Sequence, residues 1–375
     1  SGSPVVTNSS SIPVGSTARG IGPSVAERFG AGTNGARRYG VAVASTRRVH
    51  APGRVNLIGD HTDYTGGLVF PMAIDRGTTI EFATGGSTIE LRSDADDAAI
   101  RIGLPVEGDP STVTPRWGTY IAAMARELGA TTGIDGTVTS TIPAGAGLSS
   151  SAALECAVGL ALGFDGSPVE LALAAQRAEH AATGVPTGIM DQLCIAAAAR
   201  GTATMIDCHT LEVTHVAVPD DVDVVVRFVA HRTLVGSAYA DRVAECRAAE
   251  EVLGPLRSSS LAAIEAADLE GLVRRRARHV VTENRRVVEF AAALSDGDYT
   301  AAGALMIESH RSLADDFETS TPTMDRAVAD LVASPGVFGA RMTGGGFGGC
   351  VVAICEPGAL TDGWVVAAGD GARML

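Results

Sequence analysis

The sequence contains no lysine, so all 29 of its basic residues are arginine. This absence excludes phosphate-binding loops that depend on a lysine, the strand lysine of protein kinases, and the lysine Schiff bases of pyridoxal-phosphate enzymes and aldolases. Any phosphate site in this chain must therefore be built from arginine, backbone amides, helix N-termini or a metal ion.

Aromatic residues are also scarce, at 4%, and charged residues make up 19% against 46% hydrophobic residues. This composition is typical of a globular protein, and 375 residues suffice for two domains with sizeable cores. The net charge of −14 argues against a protein that binds nucleic acid or anionic membranes. No apolar run approaches the ~18 residues that a membrane-spanning helix needs.

The six cysteines form no Cys-x-x-Cys pair and have no histidine at zinc-binding spacing. We expect them to be buried and reduced, as in a cytoplasmic protein. Residues 1–20 begin with a stretch rich in serine, glycine and proline that lacks the apolar centre of a signal peptide. We expect this part to be a disordered lead-in.

Hydrophobic periodicity predicts strands and helices in both halves of the chain. The predicted strands cover residues 47–82, 78–92, 134–142, 202–207, 212–217, 222–229 and 350–354. The predicted helices cover residues 24–40 (ending in a loop), 117–128, 149–163, 168–182, 189–199, 238–253, 261–267, 270–293 and 298–314. Because strands and helices are mixed in both halves, we predict an α+β protein. A boundary near residues 219–221 divides it into two lobes, residues 21–218 and 219–375.

A glycine- and serine-rich segment, PAGAGLSSSAA at residues 143–153, lies between a predicted strand and a predicted helix. Its glycines let backbone approach a ligand, and the helix start offers free N–H groups and a positive dipole end to phosphate. An ordinary helix cap needs one serine. Three serines therefore favour phosphate binding, with hydroxyls that can also ligate Mg²⁺.

Residues 53–64, GRVNLIGDHTDY, concentrate Arg54, Asp60, His61 and Asp63 between glycines. Carboxylates and an imidazole suit the recognition of a polyol, because between them they accept and donate hydrogen bonds to hydroxyls. Their spacing matches no standard metal site. Read alone, the stretch also fits a solvated polar turn.

Two more carboxylates are candidates. Asp191, in GVPTGIMDQ at residues 184–192, falls in the first turn of a predicted helix. There it either stabilises the helix dipole or acts as an acid–base group at a pocket. Glu179 lies on the preceding helix, where a surface charge is the alternative, and Tyr239 would ordinarily be a packing residue.

The segment TGGGFGG at residues 343–349 formally fits the Gly-x-Gly-x-x-Gly pattern of dinucleotide-binding folds. A β-like run follows it, however, where a dinucleotide motif would begin a helix. We therefore reject a dinucleotide site. The segment is either a glycine loop without a ligand or a lid that packs against residues 143–153.

Together and in this order, these segments resemble the galactokinases, a family of the GHMP small-molecule kinases. Residues 53–64 resemble the family signature, residues 143–153 its ATP-phosphate loop and residues 341–350 its third motif. The glycine-rich loops occur across the superfamily, whereas the first signature is specific to this family. The resemblance implies a mixed α/β N-terminal lobe, a ferredoxin-like C-terminal lobe and an active site between them.

The resemblance also implies the ATP- and Mg²⁺-dependent phosphorylation of galactose at its C1 hydroxyl. Asp191 matches the catalytic aspartate, as a base or an orienting charge, and Arg54 matches the arginine beside it. The residues that match sugar contacts are Asp60, His61, Asp63, the backbone at Gly188, and Tyr239. The residues that match nucleotide contacts are Gly145, Gly147, Leu148, Ser149, Ser150, Ser151, Ala152 and, as an aromatic that stacks on adenine in some members, Trp117. Ser149 or Ser150 would place Mg²⁺ together with Glu179.

One residue departs from the family pattern, because Asp60 stands where the family usually has glutamate. A related sugar, such as arabinose or an amino sugar, is therefore the alternative substrate. A non-enzymatic sensor of galactose and ATP is the other alternative. Relatives of that kind have an altered serine loop, whereas residues 149–152 of this chain keep the intact sequence SSSA. We expect galactose and ATP as ligands, neither nucleic acid nor membrane as a partner, and a monomer or weak dimer.

Overall fold

The computed structural model describes residues 46–143, 145–231 and 237–375. The predicted lead-in at residues 1–20 and the predicted helix and loop at residues 24–40 lie outside these ranges. Within them, no helix combines the length and the apolar character needed to cross a bilayer.

The described residues form two sheets and a set of helices. The strands are β1 (Arg47–Ile58), β2 (Leu68–Thr84), β3 (Thr88–Ser93), β4 (Ile100–Gly103), β5 (Ile134–Ser140), β6 (Thr202–Asp207), β7 (Glu212–Ala217), β8 (Asp223–Ala230), β9 (Val337–Thr343), β10 (Gly349–Cys355), β11 (Trp364–Val365) and β12 (Arg373–Met374). The helices are α1 (Gly118–Glu127), α2 (Ser150–Ala161), α3 (Pro168–Thr183), α4 (Met190–Ala197), α5 (Ser237–Leu253), α6 (Leu261–Ala266), α7 (Gly271–Ser295), α8 (Tyr299–Asp315) and α9 (Pro322–Val332).

The first sheet has the order β12-β1-β2-β5-β3-β4, and β6 joins it through β2 and carries β7. Only the β3–β5 pairing is parallel. The register of β1 on β2 shifts between Pro52 and Arg54, because proline has no N–H to give to a ladder and is tolerated at a bulge. Beyond the bulge, the Arg54 amide donates to the Leu148 carbonyl (3.2 Å), which joins β1 to the glycine- and serine-rich segment.

The second sheet has four antiparallel strands in the order β11-β8-β10-β9. Numbered by their place in the chain, these strands lie fourth, first, third and second, which is the ferredoxin-like order that was predicted. A loop, and not a helix, connects β10 to β11. The predicted lobe boundary near residues 219–221 falls between β7 and β8, and β12 returns from the second sheet to the first.

Strand β10 is buried at all seven of its positions, because helices or the first sheet cover both faces of the second sheet. Val352 belongs to a core that continues through the first sheet and helices α1–α4. Val351 faces the other way, into a core formed with α5–α9. A strand buried on both faces explains the unbroken apolar run at residues 350–354.

The ends of β1 and β9 meet between the two sheets. Thr343 Oγ1 accepts from the Asn56 amide (3.0 Å) and donates to the Asn56 carbonyl (2.9 Å). The fully buried Arg341 guanidinium donates to the Leu57 carbonyl (3.3 Å). These contacts place the last residues of β1 beside the glycine loop that follows β9.

Candidate active site

A cavity of about 620 Å³ opens beside the ends of β1 and β9 and the starts of α2 and α4. All four segments that the sequence analysis singled out contribute to its lining. They are represented there by Arg54, Gly147, Asp191 and Gly345. The prediction that these separate segments form one site is therefore consistent with the structure.

Arg54 and Asp191 form the centre of the cavity. Arg54 Nε donates to Asp191 Oδ1 (2.7 Å) and Nη2 donates to Asp191 Oδ2 (2.8 Å), so the ion pair has two parallel hydrogen bonds. Arg54 Nη1 donates to the Gly147 carbonyl (2.8 Å). The arginine side chain is 4% exposed and the aspartate side chain 30% exposed, so the carboxylate is the partner that faces the cavity.

The glycine- and serine-rich segment adopts left-handed backbone conformations where it lines the cavity. Gly145 and Gly147 have φ angles of 71° and 75°, and Ser149, just before α2, has a φ of 60°. Positive φ costs a serine more than a glycine. Ser149 Oγ donates to Asp191 Oδ2 (2.5 Å), so this conformation brings its hydroxyl to the carboxylate. Ser150 is exposed, whereas Leu148 and Ala152 are buried.

The Glu179 carboxylate, on α3, receives three side-chain hydrogen bonds. Ser151 Oγ donates to Oε1 (3.1 Å), while Thr187 Oγ1 (2.9 Å) and Gln192 Nε2 (2.7 Å) both donate to Oε2. The serine that contacts Glu179 is thus Ser151, and Ser149 contacts Asp191 instead. Thr187 and Gln192 were not predicted as site residues, although both lie in the segment of residues 184–192 that contains Asp191.

A carboxylate and a hydroxyl are oxygen ligands of the kind that Mg²⁺ prefers. Ser151 and Glu179 both line the cavity and fit this requirement. Among the described residues, no group of three or more histidine, cysteine, aspartate or glutamate side chains is arranged to hold a metal ion. A magnesium ion at Glu179 would therefore share its coordination with phosphate oxygens and water.

Asp60 reaches the cavity next to the glycine loop that follows β9. Its carboxylate lies 2.7 Å from Arg341 Nη1 and accepts from the Gly344 amide (3.1 Å). Burial raises the pKa of Asp60, and the Arg341 and Arg54 charges oppose that rise. Arg341 was quoted in the sequence only as part of a motif, and no local pattern shows that it would contact Asp60.

Aromatic side chains form the wall beside Asp60. The His61 ring lies 5.5 Å from the Tyr239 ring and 4.8 Å from the Phe317 ring, between centroids. His61 Nδ1 and Tyr64 Oη are 3.1 Å apart. Tyr239, on α5, therefore enters the cavity and is not only a packing residue.

The Asp63 side chain packs directly against the backbone of Gly188. A Cβ atom at Gly188 would lie 1.9 Å from Asp63 Oδ2, so only glycine fits at this position. Burial, together with the charges of Asp191 and Asp60, raises the pKa of Asp63 from near 3.8 to about 7. Among the described residues, no arginine or histidine lies within salt-bridge distance of this carboxylate.

Helix α7 holds the loop that carries these polar residues (residues 59–68, the polar loop). The Gly59 amide donates to Glu283 Oε1 (3.0 Å), and the Asp60 carbonyl lies 3.1 Å from His279 Nε2. The Leu68 amide donates to Asn284 Oδ1 (2.6 Å) at the other end of the loop. A helix from one half of the chain therefore fixes both ends of a loop from the other half.

Trp117, which the resemblance matches to an adenine-stacking aromatic, is not among the residues that line the cavity. The Trp117 side chain is partly buried against the first core, and its Nε1 donates to the Ala98 carbonyl (3.3 Å). The side chains from this region that line the cavity are those of Arg116 and Tyr120. The stacking of Trp117 on adenine stays a prediction.

Solved structures show which fold class this architecture belongs to. The crystal structure of Methanococcus jannaschii mevalonate kinase matches with a TM-score of 0.63 and 21% identity, covering 84% of this chain and 92% of that one. The crystal structure of Lactococcus lactis galactokinase complexed with galactose matches with a TM-score of 0.83 and 31% identity, covering 88% and 95%. The fold is that of the GHMP kinases, as predicted.

Sequence comparisons narrow this class. Family models match residues 36–84 (galactokinase galactose-binding signature), 117–200 (GHMP kinases N terminal domain) and 290–362 (GHMP kinases C terminal). Galactokinase from Homo sapiens is 42% identical over 331 residues, which is 83% of this chain and 84% of that protein. Galactokinase from Bos taurus is 42% identical over 332 residues, with the same coverage. The chain belongs to the galactokinase family.

Proposed function

We propose that this chain transfers the γ-phosphate of ATP to the C1 hydroxyl of galactose. The observation that carries the proposal is the Arg54–Asp191 pair, which stands between the glycine- and serine-rich segment and the polar loop. Phosphoryl transfer needs mostly positioning and charge neutralisation. A cavity with phosphate-binding backbone on one side and hydroxyl-reading side chains on the other can provide both.

Asp191 is the group that meets the sugar hydroxyl. Its carboxylate faces the cavity, and a hydroxyl within hydrogen-bond distance can donate its proton there. Arg54 fixes the carboxylate through two hydrogen bonds and brings a positive charge close to the transferred phosphoryl group. The other partner of Asp191, Ser149, connects this carboxylate to the segment that would bind the phosphates.

The glycine- and serine-rich segment binds the nucleotide phosphates in this proposal. Gly145, Gly147 and the start of α2 present backbone without interfering side chains, and the helix dipole favours an anion there. Glu179 and a serine hydroxyl of this segment would hold Mg²⁺. The sequence pointed to Ser149 or Ser150 as that serine, whereas Ser151 is the one that contacts Glu179. When bound, the ion neutralises charge on the phosphates.

The galactose hydroxyls remote from C1 contact the polar loop. Asp60, His61 and Asp63 line this part of the cavity, together with Gly188 beside Asp63 and Tyr239 beside His61. A sugar with a missing or misdirected hydroxyl would leave buried polar groups unpaired, at a cost of about 1–3 kcal/mol each. Glucose should therefore be a poor substrate.

A coupled assay of ADP release over galactose, glucose, arabinose and galactosamine tests this proposal. We expect Mg²⁺-dependent turnover with galactose, and galactose 1-phosphate as the product by nuclear magnetic resonance. Equal turnover of glucose and galactose would refute the sugar assignment. Binding of galactose and ATP without any turnover would indicate the sensor instead.

A related sugar is the second candidate, and the contacts of Asp60 favour it. Arg341 and the Gly344 amide already bind the Asp60 carboxylate, which leaves it less able to reach a sugar hydroxyl. We infer a site that tolerates changes at C6 of the sugar. Comparing kcat/KM for galactose and 6-deoxygalactose in the wild type and in Asp60→Glu tests this, because an unchanged ratio would show that residue 60 does not read C6.

We also propose a cytoplasmic protein that is a monomer or weak dimer. Cys156, Cys194, Cys208, Cys246 and Cys355 are free thiols, which supports a reducing compartment. Light scattering after size exclusion would determine the oligomeric state.

A further inference from the structure

An acid that the proposed mechanism does not use lies below the floor of the cavity. Glu155 is on α2, one helical turn after Ser151, and its side chain is 0% exposed. Its neighbours on the helix are small or apolar. Burying a carboxyl group in such surroundings costs several kcal/mol unless partners compensate it. A helix that needed only packing would have an apolar side chain here.

Gln192 joins Glu155 to Glu179. Gln192 Nε2 donates to Glu179 Oε2 (2.7 Å) and to Glu155 Oε2 (3.3 Å). Ser151 Oγ donates to Glu179 Oε1 (3.1 Å). These three hydrogen bonds link Ser151, Glu179, Gln192 and Glu155 into an open chain of side chains (the Glu155 chain). Ser151 and Glu155 stand at its two ends, one helical turn apart on the same face of α2.

The surroundings of the Glu155 carboxyl group perturb its acidity. Burial raises the pKa of Glu155 well above its usual range, and the nearby charge of Glu179 raises it further. Glu155 Oε2 gives the Gln192 amide a second acceptor beside Glu179.

The orientation of the Gln192 amide depends on both carboxyl groups. If the amide were turned over, its oxygen would face Glu179 Oε2 at hydrogen-bond distance, which is repulsive. Glu155 accepts the amide hydrogen only in the orientation that also serves Glu179. A side chain without an oxygen at position 155 would remove this second anchor and let Gln192 rotate.

We propose that Glu155 is a positioning residue that fixes Gln192 and, through it, holds the Glu179 carboxylate in place for the Mg²⁺ that accompanies ATP. The inference rests on the proposed role of Glu179 as a magnesium ligand. Side chains that directly contact a metal ligand, as Gln192 contacts Glu179, typically contribute 10–100-fold to metal affinity or activity. Glu155 acts through Gln192, so we expect the low end of that range for it. Within the described part of the chain, the residues proposed to bind galactose, Asp60, His61 and Asp63, have no hydrogen bond to the Glu155 chain. The affinity for galactose should therefore not depend on Glu155.

The test compares Glu155→Met, which fills the space without an acceptor, with Glu155→Gln, which keeps a carbonyl oxygen. The probe is Mn²⁺, whose binding with a non-hydrolysable ATP analogue is followed by electron paramagnetic resonance. We expect Glu155→Met to weaken Mn²⁺ binding and raise the Mg²⁺ concentration for half-maximal activity by about 10-fold or more. Glu155→Gln should stay close to the wild type, and galactose affinity should be unchanged in both variants.

Val158→Ala is the matched control, because Val158 is also fully buried on α2 but is not part of the Glu155 chain. It should lower stability and leave Mn²⁺ affinity as in the wild type. If Glu155→Met does not fold, Glu155→Ala removes the same acceptor, leaves the Gln192–Glu179 hydrogen bond in place and should show the same loss.

Wild-type Mn²⁺ affinity in the folded variant that lacks the link would overturn the inference. Glu179→Gln distinguishes a failure of the proposed magnesium site from a failure of the positioning role of Glu155. If it leaves Mn²⁺ binding intact, the magnesium site itself is wrong. If it weakens binding and Glu155→Met does not, only the positioning role fails.

Discussion

Arg54 shows how one side chain organises the candidate site of a chain without lysine. Its three nitrogens reach both oxygens of Asp191 and the carbonyl of Gly147, so it joins β1, α4 and the glycine- and serine-rich segment. A lysine ammonium has no planar fork and could not hold the carboxylate through two parallel hydrogen bonds. The geometry of the guanidinium, as well as its charge, is therefore part of the site.

Asp191→Asn should lower kcat by about 100-fold or more, the usual range for a general base or its orienting equivalent. The change keeps the shape of the side chain but removes the charge that receives the hydroxyl proton. ATP affinity, measured by calorimetry, should change little, because the phosphates contact a different segment.

Asp370→Asn is a suitable control for that variant. Asp370 also receives two hydrogen bonds from an arginine, Arg200, but at the surface and away from the cavity. Its kcat should equal that of the wild type. A near-normal kcat in Asp191→Asn would reduce Asp191 to a charge that stabilises the start of α4.

Asp63 should make the stability of the sugar-free protein depend on pH. Because folding raises the pKa of Asp63 to about 7, ionising this carboxyl disfavours the folded state as pH rises from about 4 to 7. The penalty is at most about 4 kcal/mol, and water in the cavity reduces it.

We therefore expect Asp63→Asn to be more stable than the wild type at pH 8, with the difference shrinking towards pH 5, while galactose binding is lost. Thermal unfolding of both proteins across this range measures the effect. Parallel curves of Tm against pH would contradict the assignment of this shift to Asp63.

At the scale of helices and strands, the sequence predicted those elements whose periodicity is local. Strands β6 and β7 have the predicted limits, residues 202–207 and 212–217. Strands β11 and β12 were not predicted, because two residues carry no pattern and their pairing depends on distant strands. Helix α9 was also missed, although Thr321 caps it and Pro322 begins it, which are local signals for a helix start.

The same distinction applies to the site. Segments such as residues 53–64 and 143–153 could be predicted because their glycines and polar residues are adjacent in the chain. Arg341, Glu155 and Gln192 act on residues from other segments. Only tertiary packing brings these partners together, and one sequence carries no sign of it.

Helix α7 provides a prediction at this scale. Asn284→Ala should raise the KM for galactose several-fold and lower stability by about 1–3 kcal/mol, because it leaves the half-buried Leu68 amide without its acceptor and loosens the polar loop. The KM for ATP should be unchanged. Steady-state kinetics with each substrate varied in turn measures both values.

Arg285→Ala, the next residue of α7, is the control. Arg285 is exposed and pairs only weakly with Glu289 (3.4 Å). Its KM values should match those of the wild type. An equal rise in both KM values for Asn284→Ala would mean that the helix supports the whole cavity and not the polar loop in particular.

At the scale of the whole molecule, the two sheets share a core. Val226 and Val352 of the second sheet belong to the same buried cluster as Val55 and Phe70 of the first. Differential scanning calorimetry should therefore show one unfolding transition, with calorimetric and van't Hoff enthalpies in agreement. Two resolved transitions would show that the sheets unfold independently despite this contact.

The return of β12 to the first sheet has a consequence for biosynthesis. Strand β1, which carries Arg54, pairs with residues 373 and 374 only after the chain has passed through the whole second sheet. Pairing over such a separation is slow, because the loop entropy must be lost before any contact forms. While the ribosome is still translating residues before 373, one edge of β1 remains without its partner strand. The sheet that carries Arg54 can thus be completed only after residue 374 has been synthesised, and the unfinished edge is a surface that chaperones would be expected to cover.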